Sequence, residues 1–392
     1  MIETHSNASP PDSWQESAKH VSRFRLCPEC ASRVADLAAA AITRDFPAVN
    51  ALAAPTTSLL GLTSRVADRL RFPMVYVRSE AKVHGKQRQV EGQLPTDSIV
   101  GIIDSREIDQ ALRTASVLAL AASGYERVTW LPFFGPDSAG ESSACIHSAS
   151  ERPFASRASF LGDQGLDPRF TRASERAIIV AEALLSIEAV SVRPDPPFRY
   201  ASGMLSPIYT DNRLLISHPV EWRNVIDGFV AAITSAVTVR QVSDFDALVG
   251  MSTSGIPHAT LLGDRLGMPS FASDDLEAAT VFAGKRVAMI EDHITTGGSV
   301  LKAIESLHQI GVKTVACFAI FNYGRKEAMA NFRNVDVPLI SLCNLDTLLD
   351  TAIRNGSLTW QDADAVNDWL KDPTGWAERS EARIVGAGTA SP

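Results

Sequence analysis

The stretch Val-Ala-Met-Ile-Glu-Asp-His-Ile-Thr-Thr-Gly-Gly-Ser, residues 287–299, decides the fold. An apolar strand leads to two adjacent carboxylates, and a turn of small residues then opens a helix. Ligands of open α/β sheets bind at the carboxyl ends of strands, where a helix N-terminus offers N–H groups to phosphate. The acids suit the 2- and 3-hydroxyls of a ribose, and the turn suits its 5-phosphate. The residues predicted to bind this sugar phosphate are Glu291, Asp292, Thr295, Thr296, Gly297, Gly298 and Ser299; the alternative is an ordinary strand and helix joined by a Gly-rich bend.

The composition is that of a mildly acidic globular protein. Of the 392 residues, 45% are apolar and 21% are charged, and the formal net charge is −8. A chain of this length forms about two to three domains. Nucleic-acid binding is not expected, because it requires a basic face. The N-terminus lacks a basic region followed by an apolar core, and no run of about 18 apolar residues occurs. We therefore predict a cytoplasmic protein without a membrane partner.

The cysteines fit free thiols in a reducing compartment better than a disulfide framework, because the chain has five of them. The pair in Cys27-Pro-Glu-Cys30 raises the alternative of a zinc site. Zinc would require two further ligands, and Cys145 and His147 are more than 100 residues away. We interpret the pair as part of a surface loop, and the sequence leaves open whether it binds metal.

An internal repeat divides the chain into two halves. Asp68-Arg69-Leu70 recurs as Asp264-Arg265-Leu266 at an offset of 196. The strand at residues 99–104 matches residues 287–292 at an offset of 188. Each half alternates strand, helix, strand, helix and strand, which is typical of a parallel sheet covered by helices. The sequence therefore predicts the α/β class, with two domains that are each a mainly parallel sheet flanked by helices.

The predicted boundaries follow the changes in composition. Residues 1–20 form a disordered tail, and residues 21–135 form the first domain. Residues 136–172 are rich in Ser, Ala, Gly and Pro, which indicates a linker. The second domain spans residues 173–378 and begins with an amphipathic helix at residues 173–189. Residues 379–392 form a C-terminal tail.

Four motifs of the second half carry a resemblance to a known family. They are the segment Phe198–Arg213, the turn Ser252-Thr-Ser-Gly-Ile-Pro-His258, the stretch at residues 287–299 and the tail Trp369–Trp376. The stretch resembles the signature of type I phosphoribosyltransferases, which bind 5-phosphoribosyl 1-pyrophosphate (PRPP). Residues 174–376 resemble a whole orotate phosphoribosyltransferase, and residues 23–135 resemble only its core. The resemblance implies transfer of the phosphoribosyl group to orotate, giving orotidine 5'-phosphate and pyrophosphate.

The two halves have lost complementary parts of the family's site. Residues 73–92 match the mobile catalytic loop, with Arg78, Lys82 and His84 at the positions that carry charge. The second half spans only 23 positions from Pro269 to Asp292, against 31 in the first, and the remainder is acidic. In the first half, residues 104–111 replace the Thr-Thr-Gly-Gly-Ser run, and their acids would repel phosphate.

In the family this chain resembles, the loop of one subunit closes over the site of its dimer partner. We therefore predict an intramolecular pseudo-dimer with one composite active site. The alternative is that both halves have drifted and the protein is inactive. The sequence leaves open whether two chains associate further.

The resemblance also assigns the remaining roles. Arg78, Lys82 and His84 would meet the leaving pyrophosphate, and Ser252, Thr253, Ser254 and Gly255 would offer it backbone groups. Mg²⁺ is the expected cofactor, held mainly through PRPP oxygens and water rather than by a protein metal site. The base would lie against Phe198, Ser202, Gly203, Ser206, Tyr209 and Arg325.

The base itself is the open question. The family usually carries a lysine in the segment that covers the base, at one of two positions that here hold Ala201 and Leu205. Orotate is anionic, and Arg325 is a candidate replacement cation. The alternatives are another heterocyclic base, or a PRPP-sensing regulator without catalysis.

Overall fold

The protein is described by a computed structural model that covers residues 28–78, 89–105, 108–131, 168–200 and 203–388. It contains two five-stranded sheets and two small two-stranded sheets. Among the described residues, no helix has the length and apolar character needed to span a bilayer.

The first half is built on a sheet with the strand order β3-β2-β1-β4-β5. All neighbours in it pair in parallel except β3, which is antiparallel to β2. The strands are β1 (Ala51–Ala54), β2 (Met74–Val77), β3 (Val90–Glu91), β4 (Val100–Ile103) and β5 (Val128–Leu131), and the helices are α1 (Pro28–Asp45), α2 (Thr57–Leu70) and α3 (Gln110–Ala122).

The sheet of the second half has the order β11-β10-β12-β13-β14, and every pairing in it is parallel. Four of its strands, β11-β10-β12-β13, correspond to β2-β1-β4-β5, and its fifth strand, β14, lies at the edge opposite to that of β3. Its strands are β10 (Ala247–Gly250), β11 (Ser270–Ala272), β12 (Arg286–Ile294), β13 (Lys313–Asn322) and β14 (Leu339–Asn344). The helices between them are α6 (Gly255–Leu266), α7 (Leu276–Thr280), α8 (Gly298–Gln309) and α9 (Lys326–Asn334).

Further elements flank the second sheet. The chain enters this half through a 3-10 turn at Pro168–Phe170. Strand β6 pairs antiparallel with β9, and β7 pairs antiparallel with β8. We call these two small sheets, residues 190–210, the hood. These elements are α4 (Ala173–Ser186), β6 (Val190–Val192), β7 (Phe198–Arg199), β8 (Leu205–Ser206), β9 (Ile208–Thr210), α5 (Pro219–Thr238), α10 (Leu345–Arg354), α11 (Trp360–Lys371) and α12 (Pro373–Gly388).

The strands are apolar on both faces because helices cover both sides of each sheet. Every residue of β1, β2, β4 and β10 is buried, as are the residues of β12 from Val287 to Asp292. This agrees with the predicted α/β class. The predicted alternation of strands and helices is confirmed in the second half, whereas in the first half β2, β3 and β4 follow one another with no helix among the described residues.

The strand register corrects the predicted repeat by one position. The helices α2 and α6 end at Leu70 and Leu266, an offset of 196. With the same offset, Ala51 pairs with Val100 while Ala247 pairs with Val287, so β4 and β12 are related by 187 rather than 188. Asp104 is thus the counterpart of Glu291. The sequence match aligned one aspartate with another, whereas the backbone ladder fixes the register.

The two halves pack on each other through α2 and α6. Asp264 accepts from Arg65 Nε and from Arg69 Nη1, each at 2.7 Å, and its side chain is only 7% exposed. The counterpart of Asp264 in the repeat, Asp68, accepts from Arg223 Nη2 at 2.7 Å. Each half therefore supplies an aspartate of α2 or α6 to arginines of the other.

Several predicted boundaries shift. The amphipathic helix predicted for residues 173–189 ends at Ser186. The last helix, α12, continues to Gly388 and so crosses the predicted domain end at residue 378. Most of the predicted linker, and the tail at residues 1–20, lie outside the described residues.

The cysteine prediction needs two corrections. Cys30 is disulfide-bonded, and it lies in the first turn of α1 rather than in a surface loop. Cys317 and Cys343 are free, as predicted, and both are buried. Cys27, Cys145 and His147 lie outside the described residues. Within the described part of the chain, no group of three or more His, Cys, Asp or Glu side chains is placed to hold a metal ion.

Candidate active site

The paired carboxylates lie where β12 approaches the start of α6. The strand continues two residues past Asp292, because His293 and Ile294 still pair with β13, so the acids do not end the strand as predicted. The turn before α6 is held against β12 by a hydrogen bond from Met251 N to Ile290 O of 2.9 Å. A Cβ at Gly255 would lie 2.3 Å from that same oxygen. Gly255 is therefore required for the close approach of the two segments.

The two carboxylates ionise differently because both are buried and adjacent. Burial, with the nearby charge of Asp292, raises the pKa of Glu291 well above its ordinary range. Burial alone would raise the pKa of Asp292 as well, but the neighbouring His293 outweighs it and holds the pKa low. His293 Nδ1 lies 3.1 Å from Asp292 Oδ1, and this carboxylate raises the pKa of the imidazole. The pKa values of the two adjacent acids are therefore shifted in opposite directions, and the carboxyl oxygens of both are suited to hydroxyl groups.

The predicted phosphate turn ends in an open helix N-terminus. The residue before α8 is Gly297, which has φ +81° and brings no side-chain acceptor to the first N–H groups of the helix. A Cβ at this position would lie 2.6 Å from Phe332 Cε2. Gly298 and Ser299 are exposed at the start of the helix. The backbone donors of α8 are therefore available to an anion.

The corresponding turn in the first half is closed by its own acid. Asp109 Oδ1 accepts from Leu112 N at 2.8 Å and so caps α3 where a phosphate would lie. Asp104, the counterpart of Glu291, is paired with Arg113 at 2.6 Å. Burial raises the pKa of Asp104. Glu107 lies outside the described residues, and Asp109 alone supports the predicted repulsion.

The turn at residues 252–255 faces the space where the second half has lost its loop. Ser252 N donates to Ser273 Oγ at 3.1 Å, and the Ser252 hydroxyl donates to Asp274. The peptide bond between Ser252 and Thr253 is cis. In place of a basic loop this half has the short helix α7, preceded by Asp274 and Asp275.

A basic residue of the first half reaches this turn. Arg78 Nη2 donates to Thr253 Oγ1 at 3.2 Å, although 175 residues separate the two along the chain. Arg78 lies directly before the segment at residues 79–88. Lys82 and His84 belong to that segment and lie outside the described residues. The structure thus brings together Arg78 and the predicted pyrophosphate turn.

No protein-family model matches the sequence. The orotate phosphoribosyltransferase of Bacteroides thetaiotaomicron is 35% identical over 207 residues, which cover 50% of this chain and 95% of that protein. That of Staphylococcus saprophyticus is 36% identical over 199 residues, which cover 48% of this chain and 96% of that protein.

The chain belongs to the orotate phosphoribosyltransferase family. Among solved structures, the orotate phosphoribosyltransferase from Aeropyrum pernix is 25% identical and has a TM-score of 0.36. The match covers 44% of the present chain and 97% of the Aeropyrum pernix protein. Each of these relatives is matched over nearly its whole length by about half of the present chain.

The predicted base residues that the structure describes lie in the hood, except Arg325, which lies beyond β13. Phe198 and Tyr209 pack with ring centroids 5.6 Å apart, and Arg193 stacks on the Phe198 ring at 4.5 Å. Gly203 has φ +86° in the turn between β7 and β8. Ser206 is fully buried, and its hydroxyl donates to Ile208 O at 2.8 Å, so its polar group serves the hood itself. Ser202 and Ala201 lie outside the described residues.

Arg325 lies at the N-terminus of α9, beyond the end of β13. Its Nη2 is 3.8 Å from Glu327, and its side chain is 31% exposed. The neighbouring Tyr323 joins this region to the hood through a 2.6 Å hydrogen bond between its hydroxyl and Thr210 Oγ1. Arg325 therefore lies two residues after the tyrosine that contacts the hood, and its role in binding the base stays a prediction.

Three residues at the site were not predicted. Glu91 and Arg213 form an ion pair of 2.8 Å between the halves, and His293 pairs with Asp292. His293 was quoted within the signature but given no role. Arg213 ends the segment Phe198–Arg213, and Glu91 lies in the stretch at residues 73–92, so the sequence analysis had quoted both. Their contact was not predictable from these motifs, because it joins residues 122 positions apart.

Proposed function

We propose that this chain transfers the 5-phosphoribosyl group of PRPP to orotate, giving orotidine 5'-phosphate and pyrophosphate, in one composite active site. The observation that carries the proposal is the hydrogen bond from Arg78 of the first half to Thr253 of the second. It joins the stem of the loop in one half to the pyrophosphate turn of the other. The chain is then a pseudo-dimer in which a degenerate first half serves the site of the second.

The contrast between the two phosphate turns supports a single site. In the second half Gly297 leaves the N-terminus of α8 open, whereas in the first half Asp109 caps α3 with its own carboxylate. A phosphate at the first turn would have to displace this acid and overcome its charge. The proposed domains, residues 21–135 and 173–378, are the two contributors to the site.

The residues divide the chemistry between them. A ring nitrogen of the base bonds to C1 of the ribose while the bond from C1 to the pyrophosphate oxygen breaks, and pyrophosphate leaves with the electron pair. The transition state has oxocarbenium character, and negative charge gathers on the leaving group. Glu291 and Asp292 hold the ribose hydroxyls, and Thr295 to Ser299 hold the 5-phosphate. Arg78, Lys82 and His84 meet the pyrophosphate from the first half.

The contacts of Glu291 and Asp292 fit an Mg²⁺ ion that is held mainly by PRPP and not by protein carboxylates. Glu291 and Asp292 are hard oxygen groups, but both are buried and already engaged with each other and with His293. When bound to PRPP, Mg²⁺ would supply positive charge to the pyrophosphate oxygens. The protein residues orient the ribose and exclude water around it.

Orotate is the proposed base because the family acts on it, and the hood supplies aromatic rings at Phe198 and Tyr209. Leu205, at one of the two positions where the family carries lysine, is a buried strand residue that pairs with Arg199 in the hood. Arg325, at 31% exposure, is the proposed cation for the orotate carboxylate. Another heterocyclic base is the alternative acceptor.

The direct experiment mixes the full chain with PRPP, Mg²⁺ and orotate and follows orotate absorbance. We expect orotate to be consumed and pyrophosphate to appear in equal amount. A parallel panel of heterocyclic bases identifies the acceptor if orotate is not consumed. PRPP binding without consumption of any base would contradict the enzyme and favour a PRPP-sensing regulator.

A further inference from the structure

Glu91 is a buried carboxylate that receives two arginines from different halves. Its Oε1 accepts from Arg78 Nε at 2.5 Å and from Arg213 Nη1 at 2.8 Å. The residue is 8% exposed, so these contacts lie in a medium that screens them weakly. Charge-assisted bonds of this kind are stronger than neutral ones. Glu91 therefore fixes the position of both guanidinium groups.

The carboxylate lies at the stem of the loop segment. Arg78 N donates to Gln89 O at 2.8 Å, and Gln89 Nε2 donates to Arg78 O at 3.1 Å, which joins the two ends of the segment at residues 79–88. Glu91 follows in β3, where it pairs with Tyr76 of β2. The next residue, Gly92, packs so closely on the second half that a Cβ would lie 2.5 Å from Ser217 Oγ. The stem is thus held between the two halves.

Arg213 connects the carboxylate of Glu91 to the segment that contacts Asp292. Its Nε donates to Asp211 at 2.6 Å, directly after the hood strand β9. Burial alone would lower the pKa of Arg213, but Asp211 and Glu91 outweigh it and raise the pKa. The neighbouring Asn212 donates to Asp292 O at 2.9 Å. One chain of polar contacts therefore runs from Thr253 through Arg78, Glu91 and Arg213 to the segment beside the ribose acids.

We propose that Glu91 is a positioning residue that holds Arg78 against the pyrophosphate turn of the other half. The inference rests on the proposed function and assigns a role to a residue that does not itself touch substrate. With Glu91 in place, Arg78 meets pyrophosphate already ordered, and binding does not have to immobilise a long flexible side chain. Arg213 locks the carboxylate from the second half, so the alignment depends on both halves.

The sign of the effect distinguishes positioning from simple electrostatics. Removing a carboxylate near an anion site would by charge alone strengthen anion binding. Loss of the anchor for Arg78 would weaken it. The variant Glu91→Gln retains shape and removes the charge, so a fall in affinity for pyrophosphate identifies the positioning effect.

The experiment compares the full chain with Glu91→Gln by steady-state kinetics and by calorimetry with pyrophosphate and Mg²⁺. We expect the KM for PRPP to rise and pyrophosphate affinity to fall by roughly tenfold, as for a lost charge-assisted bond. The KM for orotate should stay within about twofold, because the lost contact serves pyrophosphate. In an Arg78→Gln background, adding Glu91→Gln should change little, since Glu91 acts through Arg78.

Asp68→Asn is the matched control, because it breaks another ion pair between the halves without touching this network. It should leave both KM values unchanged. Unchanged or tighter pyrophosphate binding by Glu91→Gln, or full additivity with Arg78→Gln, would overturn the inference. If the wild type binds pyrophosphate but consumes no orotate, the proposed function fails while calorimetry still decides the role of Glu91. A wild type that binds no pyrophosphate would overturn both.

Discussion

The adjacent acids Glu291 and Asp292 differ in pKa because their neighbours differ. Burial raises the pKa of Glu291, while His293 keeps Asp292 ionised. Carboxyl oxygens accept hydrogen bonds from sugar hydroxyls. In the proposed site, the residues around these acids therefore affect how the ribose is bound, and we expect residues of the other half to act on the leaving pyrophosphate.

Lys82→Ala should lower kcat by on the order of 100-fold and leave PRPP affinity within a few fold. This is the pattern expected when an interaction is made mainly in the transition state, where charge gathers on pyrophosphate. Steady-state kinetics and PRPP titration measure the two quantities. Lys371→Ala, at an exposed residue of α11, is the control and should be neutral. Unchanged turnover of Lys82→Ala would remove the first half from the mechanism.

His258 should make the protein less stable as the pH falls from about 6.5 to 4. The side chain is buried and accepts from Trp222 Nε1 at 2.9 Å, and burial lowers its pKa to about 4. In that window the unfolded chain binds a proton that the native chain does not, so stability declines with falling pH. The free energy of unfolding that is lost across this pH range is about 3 kcal/mol.

Denaturant unfolding at several pH values measures this effect. His258→Gln keeps an acceptor for Trp222 but does not titrate, so its stability should change less than that of the wild type between pH 6.5 and 4. Parallel stability curves for the two proteins would show that His258 is not the group responsible.

At the scale of elements, two helices with the same place in the repeat differ at their N-termini. Gly297 leaves α8 open, and Asp109 caps α3. The unsatisfied N–H groups at a helix start must find an acceptor. The first turn is therefore capped by its own carboxylate, and we expect an anion to complete the second.

Gly297→Ala should raise the KM for PRPP by at least tenfold and destabilise the protein. The residue has φ +81°, and its Cβ would meet the buried ring of Phe332. Gly356→Ala is a matched control, because φ is +76° there and nothing lies within 4 Å. Left-handed backbone alone costs alanine about 1 kcal/mol. Kinetics and thermal unfolding of both variants separate this cost from the closure of the turn, and equal behaviour would contradict the close contact with Phe332.

At the scale of the molecule, the halves are joined by buried ion pairs. Asp264 receives Arg65 and Arg69 in a position where all three are poorly exposed. Such pairs contribute little by themselves, but removing one partner leaves charge unpaired in the interior. The two halves therefore depend on each other at this interface, because the buried charge of each half is paired by a residue of the other.

Asp264→Asn should destabilise the chain by about 3 to 5 kcal/mol, the cost of leaving buried charges unpaired. The counterpart Asp68→Asn breaks a pair whose side chains are 25% and 23% exposed. It should cost at most about 1 kcal/mol, because solvent screens it. Denaturant unfolding of both variants gives the comparison. Similar losses would mean that burial does not distinguish the two pairs.

Calorimetric titration with PRPP and Mg²⁺ should give one site per chain. Asp109 already caps the turn of the first half, and a phosphate placed against it would meet a like charge. A homodimer of independent halves would instead give one site for each half. Two equivalent sites in this chain would contradict the composite-site proposal.

Local order was predictable wherever neighbouring residues decide it. The strand, turn and helix at residues 286–309 follow from a run of apolar residues, paired acids and Gly-Gly. The repeat also follows from sequence, since it preserves the Asp-Arg-Leu segment that ends α2 and α6. The strand match was off by one, because identity of residues does not determine which backbone groups pair.

The sequence by itself determined the α/β class and the repeat, and it predicted which half holds the phosphate turn, because these depend on the order of residues along short segments. Only the tertiary structure decided how the halves meet. The contacts Arg78 to Thr253, Arg213 to Glu91 and Arg65 to Asp264 join residues 175, 122 and 199 positions apart. No local pattern encodes such separations, because the packing of the two halves brings these residues together. Burial then strengthens the pairing of Arg65 with Asp264.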